Sequence, residues 1–301
     1  MYHTSSRCII CNEAHAKPFC VKNNREYVSC TVCRHVYVQD PLAESEITQY
    51  YANRTSHHAS ADKKEWDYSP TKEKLVYRPQ LQRLAKLGKA GRILDIGCSN
   101  GSFLSAAKKY GWDGYGIELE KNSYELAQKH GVKVYNQQLS QQAFPDEHFS
   151  AITLWQVIEH LPDPKTVIKE IVRILQPGGI FAVSTPNIRS IGWILLREEW
   201  DAVEPEVHLN LFEPKNLARL ITDCGLRTRH LETVDLKPST VKKFIRKLSK
   251  KEPDKKTDSV ANLAKSLSDK KMSALLTFRH LVNLPLKSFG IGEDIYAYFV
   301  K

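Results

Sequence analysis

The stretch from Arg92 to Glu118 constrains this chain more than any other part of it. Ile93, Leu94 and Ile96 form a short apolar run with Asp95 among them, followed by Gly97, Cys98, Ser99, Asn100 and Gly101. Beyond Gly101 the apolar spacing becomes helical, through Phe103, Leu104 and Ala107, and a second short run, Tyr115–Ile117, ends in Glu118. The pattern predicts a buried strand, a glycine turn, a helix and a second strand tipped with an acid. A strand that feeds a glycine turn at a helix N-terminus makes a nucleotide-binding corner. Glycine is needed because a side chain blocks the ligand or demands a φ that L-residues avoid. An acid at the tip of the second strand is placed to accept hydrogen bonds from both hydroxyls of a ribose.

The spacing is Asp-x-Gly-x-x-x-Gly, with Ser99 where a dinucleotide fingerprint needs its middle glycine for a pyrophosphate. The stretch resembles motif I of the class I S-adenosylmethionine-dependent methyltransferases, whose cofactor has no phosphate. A later series is similar to the post-I motifs of the same enzymes: Ile158-Glu159-His160-Leu161-x-Asp163-Pro164, then Arg173-Ile174-Leu175-x-Pro177-Gly178-Gly179, then Ser184-Thr185-Pro186-Asn187. Together they resemble the methyltransferase-23-like group, related to quinone and sugar O-methyltransferases. The resemblance implies an α/β fold: a Rossmann-like seven-stranded sheet with an antiparallel last strand and helices on both faces. The plain alternative is an ordinary strand–turn–helix corner with no ligand, and Glu118 with the later motifs counts against it.

Carried onto these residues, the resemblance implies a site for S-adenosylmethionine. Gly97, Cys98 and Gly101 let the backbone approach it, and Asp95 orients the loop around its methionine part. Glu118 holds the ribose, with Leu119 beside it. Gln138 and Leu139 flank the adenine, where the family usually has an acid; glutamine still hydrogen-bonds an exocyclic amine. Ligands in such sheets sit beyond the C-terminal ends of the strands, which puts Gln156, Glu159 and His160 near the transferred methyl. His208 begins a His-x-x-x-Phe element that falls near the substrate mouth in relatives. His160 and His208 are the candidate general bases, since a neutral imidazole takes a hydroxyl proton near neutral pH. Each equally reads as a side chain that only braces its loop. In quinone O-methyltransferases a Glu-x-x-Glu-His motif binds a divalent metal. Here Gln156 replaces the first carboxylate, so no catalytic metal is expected.

Ahead of this core stand Cys8-Ile-Ile-Cys11 and Cys30-Thr-Val-Cys33, two Cys-x-x-Cys knuckles. Four thiolates so spaced can close a tetrahedral, structural Zn2+ site, and the metal would supply folding energy that so small a segment lacks. Merely buried or redox-active cysteines are the alternative. The expected domains are a zinc ribbon over 1–41, a helical lid or linker over 42–91, and a methyltransferase domain over 92–301. Leu75, Leu81, Leu84 and Leu87 give the linker helical spacing. Tyr50, Tyr51, Trp66, Tyr68 and Tyr77 are pocket candidates there, with simple packing the plainer reading. A ribbon, a short strand, Pro41 and a Tyr50–Tyr51 pair together resemble methyltransferases of polysaccharide and other secondary biosynthesis.

Within the last domain, 237–290 reads as an insertion. Its first half is basic, with Lys242, Lys243, Arg246, Lys247, Lys250 and Lys251, and the expectation is a solvated segment leading into an apolar helix. The chain of 301 residues is 42% hydrophobic and 26% charged, a globular composition with ample core, and its formal charge of +10 invites an anionic partner. Basic residues beside an apolar helix suit peripheral contact with an anionic membrane surface. Nucleic acid would want stacking aromatics among them, and Phe244 stands alone. No apolar run is long enough to cross a bilayer, the N-terminus lacks a signal-peptide core, and paired cysteines suit a reducing compartment; a cytoplasmic location is expected. The expected function is S-adenosylmethionine-dependent methyl transfer to a hydroxyl of a small molecule or a sugar or glycan precursor. Two rivals remain: an RNA base methyltransferase and a non-catalytic adaptor. The first would show Asn/Asp-Pro-Pro-aromatic where this chain has Gln156-Val-Ile-Glu-His; the second sits badly with an intact Glu118 and its glycines.

Overall fold

The computed structural model describes residues 7–42, 46, 73–249 and 283–301. In chain order the strands are β1 Ala16–Lys22, β2 Arg25–Cys30, β3 Val36–Val38, β4 Arg92–Ile96, β5 Asp113–Ile117 and β6 Lys133–Tyr135. β7 Phe149–Trp155, β8 Leu175–Pro186, β9 Asn210–Leu211, β10 Arg227–Val234 and β11 Asp294–Val300 follow. The helices are α1 Arg78–Leu87, α2 Ser102–Lys108, α3 Lys121–Lys129, α4 Pro164–Ile174, α5 Ile191–Leu196, α6 Pro214–Thr222 and α7 Pro238–Ser249. The chain divides into two compact units. One holds Met1–Glu65, Pro186–Pro214 and Glu232–Ile295; the other holds Trp66–Thr185, Lys215–Leu231 and Tyr296–Lys301.

The first unit is built on a four-stranded sheet in the order β1-β2-β3-β9. Asn23 and Asn24 both take left-handed φ, 51° and 59°, which suits the tight turn of the β1–β2 hairpin. β3 is covered on its far edge by β9, Val36 opposite Leu211 and Tyr37 opposite Asn210. The sheet therefore continues past the N-terminal strands, with a strand far along the chain. His35 Nε2 donates to Asn210 Oδ1 at 3.1 Å across that pairing. Tyr27, Val36, Trp200, Val203 and Leu211 form a buried cluster, and Phe244 of α7 packs against it. The start of the basic stretch is thus a helix docked through Phe244, not the solvated segment expected. Lys243 pairs with Asp201, and Lys247 with Glu199 at 3.1 Å. Glu293, fully buried, anchors this region by accepting from Trp200 Nε1 at 2.8 Å, Thr240 Oγ1 at 2.8 Å and the Lys237 N–H at 2.6 Å. A buried carboxylate is tolerated when its oxygens are supplied with donors in this way.

The seven-stranded sheet runs β10-β11-β8-β7-β4-β5-β6. β4 pairs in parallel with β5 and β7, β5 with β6, and β7 with β8. Residues 93–96 of β4 are all buried, as a strand covered on both faces requires. At the other end, the Lys301 N–H donates to Gly179 O, and the Gly178 N–H to Lys301 O, so β11 finishes where β8 begins and runs antiparallel to it. The mixed Rossmann-like sheet expected from the resemblance is the sheet found. Strand order reverses at β4, whose neighbours lead to β6 on one side and β8 on the other, and such a switch point opens a crevice at the C-terminal edge. Gly114 and Gly116 let α2 lie close on β5: a Cβ on Gly116 would come within 2.5 Å of Cys98 Sγ, and one on Gly114 within 3.3 Å of Leu104. Leu81 and Leu84 of α1 bury fully against the same core. Tyr50, Tyr51, Trp66, Tyr68 and the 250–282 part of the expected insertion lie outside the described residues.

Candidate functional site

The loop from β4 to α2 holds three residues with left-handed φ. Gly97 and Gly101 both take φ of 75°, and a Cβ on Gly97 would approach Val157 Cγ2 to 2.6 Å. The Gly97 and Cys98 N–H groups both donate to Ile117 O, at 2.8 and 3.0 Å. Ser99, also left-handed at φ 50°, donates its N–H to Glu118 Oε2 at 2.8 Å. Glu118 Oε1 accepts from the Glu120 N–H at 2.8 Å. One carboxylate thus clamps the loop tip to the end of β5. Burial pushes the Glu118 pKa up, and the two backbone N–H groups work against that rise. Each carboxylate oxygen has a second lone pair, so the clamp retains acceptors for two ribose hydroxyls. Leu119 beside it is 57% exposed, an apolar surface next to an anionic one. Gln138 caps the single helical turn Leu139–Gln141 that follows β6, and Leu139 is buried beneath it.

Asp95 lies behind the loop, buried, and accepts from Thr153 Oγ1 at 2.6 Å. Burial pushes its pKa up to about 7, against the pull of that hydrogen bond. In front of it opens a cavity of about 230 Å³ lined by Asp95, Gly97, Cys98, Ser99 and Asn100, with Gln156 and Ser184 at the strand ends. Its far wall comes from Val76, Tyr77, Gln80, Phe103, Trp155 and Tyr296. Phe103 meets Tyr77 edge-on with ring centroids 5.8 Å apart, and Trp155 likewise at 5.6 Å. Tyr77 ends a π-helical turn, Glu73–Tyr77, that runs into α1. Gln80 Oε1 and Trp155 Nε1 are buried with no hydrogen-bond partner among the described residues. A crevice whose Ser99 rim is bonded to the Glu118 carboxylate and whose far wall is largely aromatic fits a small ligand with both apolar and hydroxyl-bearing parts.

At the end of β7, Gln156 takes a left-handed φ of 56°, unusual for a side chain of its size. Its N–H donates to Ser184 O at 2.9 Å and its Nε2 to Ser184 Oγ at 3.2 Å, which hold the strained turn against β8. Glu159 is buried and accepts from Thr185 Oγ1 at 3.0 Å; it lies outside the cavity lining. His160 is half-buried at the end of the turn Ile158–His160. In the first unit, half-buried His208 donates Nδ1–H to Ala202 O at 2.8 Å, which leaves Nε2 as the acceptor nitrogen.

The four knuckle cysteines converge, with every pair of Sγ atoms within 4.8 Å. Cys8 and Cys33 Sγ lie 3.4 Å apart, and Cys11 and Cys30 Sγ 3.5 Å. Tetrahedral ligation at ordinary Zn–S lengths needs sulfurs about 3.8 Å apart, so the donor set fits. Burial pushes the Cys8 thiol up to about 11. Burial also opposes ionisation of Cys30, yet the Cys33 and Val32 N–H groups bring that thiol down to about 7.

The motif residues Asp95, Gly97, Cys98 and Gln156 therefore share one cavity, with Glu118 bonded to its Ser99 rim. Ser184 of the Ser184–Asn187 motif also lines it, as do Gln80, Trp155 and Tyr296, which were not singled out from sequence. A signal existed for two of them. Gln80 follows Tyr77 and precedes Leu84 at helical spacing, and Trp155 follows Thr153 on the same face of β7.

Residues 71–231 match the model of a family described as methyltransferase domain. The chain is 31% identical over 170 residues to the ubiquinone biosynthesis O-methyltransferase of Methylococcus capsulatus, spanning 50% of this chain and 70% of that protein. It is 28% identical over 153 residues to the protein of that description from Pectobacterium atrosepticum, spanning 46% and 64%. A solved S-adenosylmethionine-dependent methyltransferase from Thermotoga maritima covers 85% of this chain and 99% of its own at 19% identity, with a TM-score of 0.50, a likeness of fold.

Proposed function

Because the chain belongs to the methyltransferase domain family, we propose that its crevice binds S-adenosylmethionine through Glu118 and serves methyl transfer to a hydroxyl oxygen of a small molecule. The Glu118 clamp on the Ser99 N–H carries this reading, because it sets an anionic ribose acceptor on the rim of a glycine-lined cavity. When bound, the cofactor supplies an electrophilic methyl group on a positively charged sulfur. The residues of this chain do the rest. Gly97, Cys98 and Gly101 shape the backbone that faces the cofactor, with Asp95 behind its methionine part. Leu119, Gln138 and Leu139 flank the adenine, and Gln156 turns the end of β7 toward the transferred group. His160 or His208 takes the acceptor proton, with Glu159 holding the loop of His160. Burial of the apolar wall excludes water, and alignment of nucleophile and methyl supplies much of the rate.

Three further parts belong to this reading. Cys8, Cys11, Cys30 and Cys33 hold a structural zinc ion in a ribbon over 1–41, which keeps β3 in place against β9. The acceptor is a phenolic metabolite or a sugar or glycan precursor; the similar enzymes named above act in ubiquinone biosynthesis. Val241 and Ile245, exposed on α7 beside Lys242 and Arg246, suit peripheral contact with an anionic membrane surface from the cytoplasm. The test is calorimetric titration of zinc-replete protein with S-adenosylhomocysteine, followed by transfer of labelled methyl to a panel of catechols and sugar nucleotides. Micromolar binding and label on one class is the expected result. A folded protein that binds no S-adenosylhomocysteine would overturn the reading in favour of an adaptor.

A further inference from the structure

The clamp on Glu118 leans on a residue that lies outside every motif named above. β5 and β6 pair in parallel as far as Ile117 opposite Tyr135, and the Glu118 N–H donates to Tyr135 O at 3.0 Å. There β6 ends. A side chain makes the next rung: Asn136 Nδ2 donates to Glu118 O at 2.7 Å and to Leu119 O at 3.1 Å. Two carbonyl oxygens so close fix which way the amide points, since only its NH2 end can meet both.

Leu119 O and the Glu120 N–H are the two ends of one peptide plane. Asn136 holds the oxygen, and the N–H donates to Glu118 Oε1 at 2.8 Å. The other carboxylate oxygen accepts from the Ser99 N–H, also at 2.8 Å. A continuous chain of hydrogen bonds therefore runs from Asn136, through a peptide and Glu118, to the glycine loop. A donor on a peptide carbonyl polarises the peptide and strengthens its N–H as a donor. Because the peptide is planar, fixing its oxygen also fixes where its N–H points. Asn136 is exposed and lies outside the cavity lining, so its reach to the site is through Glu118.

We infer that Asn136 is a positioning residue for the proposed ribose contact: it holds the Leu119–Glu120 peptide that aims the Glu118 carboxylate and stabilises its charge. This rests on the S-adenosylmethionine reading and adds a residue that touches no part of the cofactor in it. The bland alternative is a strand extension that serves folding alone, and electrostatics separates the two. Burial pushes the Glu118 pKa up, and the Glu120 and Ser99 N–H groups oppose that rise. The titratable groups around Glu118 are Glu120 just after β5, Asp95 on β4 and the Cys98 thiol in the loop. Loss of the Asn136 donor weakens the Glu120 N–H, the Glu118 pKa rises further, and cofactor binding fails at a higher pH. Loss of a mere strand extension has no such effect.

Titration of the full zinc-replete chain with S-adenosylhomocysteine across pH, beside thermal unfolding, tests it. Asn136→Leu keeps the bulk and removes the donor; the position is exposed, so the variant should fold. It should bind roughly three- to tenfold more weakly at neutral pH, the effect of losing a neutral hydrogen bond. The pH at which affinity falls by half should also rise, by about half a unit. Asn136→Asp keeps the shape but sets oxygen against both carbonyls and adds a negative charge, so it should weaken binding further than the leucine. Binding by both folded variants within about twofold of wild type would overturn the inference. So would a loss of affinity by the same factor at every pH, which would leave Asn136 as a strand extension. Wild type that binds no S-adenosylhomocysteine would instead sink the methyltransferase reading beneath it.

Discussion

Replacing Glu118 with glutamine tests the centre of the proposal with the smallest change of shape. The carboxylate uses one oxygen for the Ser99 N–H and the other for the Glu120 N–H, both at 2.8 Å. Glutamine has a single carbonyl oxygen, so one of these N–H groups must face an NH2. Losing that bond and setting donor against donor costs the loop about 1–3 kcal/mol. In the proposed binding mode the ribose loses more, because both of its hydroxyls would donate to a charged acceptor. Going from charged to neutral or absent acceptors removes roughly 2–4 kcal/mol, which is roughly 30- to 1,000-fold in Kd. The assay is calorimetric titration with S-adenosylhomocysteine, run beside thermal unfolding of the same samples. The expected result is a folded protein with a modestly lower Tm and an affinity reduced within that range. A folded variant that binds within about threefold of wild type would refute the assignment of Glu118 to the ribose.

The remaining predictions concern protons and metal. S-adenosylhomocysteine affinity should fall on acidification, and at a higher pH than for an ordinary carboxylate, because burial raises the Glu118 pKa and the proposed ribose contact needs the carboxylate; titration across pH checks it, and a flat profile would count against the role. For Asp95 the stability consequence has the opposite sense. Its folded pKa of about 7 is above its ordinary value, so its contribution to the ligand-free protein is present at acid pH and lost as pH rises through about 7. Thr153→Val removes the bond that favours the carboxylate, so it should destabilise the protein more at pH above 7 than below it, by about 1–2 kcal/mol in urea unfolding. Purified protein should carry equimolar zinc by elemental analysis. Cys30→Ser, or prolonged chelation, should release it and lower the Tm; metal-free protein with an unchanged Tm would show that the four thiols need no ion.

Local pattern was enough for much of the fold. The apolar run of β4, the glycine loop, the helical spacing of α2 and the acid after β5 are all short-range signals, and their chemistry follows from residue type and spacing. The four-cysteine cluster is equally local, since two Cys-x-x-Cys turns need only one hairpin between them. What the tertiary structure decided is which distant residues meet. Nothing in Val36–Val38 announces that its partner strand is Asn210–Leu211, because strand pairing is selected by packing across the whole chain. The basic start of the insertion read as a solvated segment by charge alone, yet one phenylalanine and the buried Glu293 draw it onto the first unit as a helix. Likewise Gln80 and Trp155 look like a helix glutamine and a core aromatic in isolation. Only the closing of α1 and β7 around Asp95 leaves their polar atoms buried and, among the described residues, unpaired. Sequence by itself determined the loop, the clamp residue and the thiols, because these depend on neighbours in the chain. The cavity and its polar demands depend on neighbours in space, and those exist only once the sheet has closed.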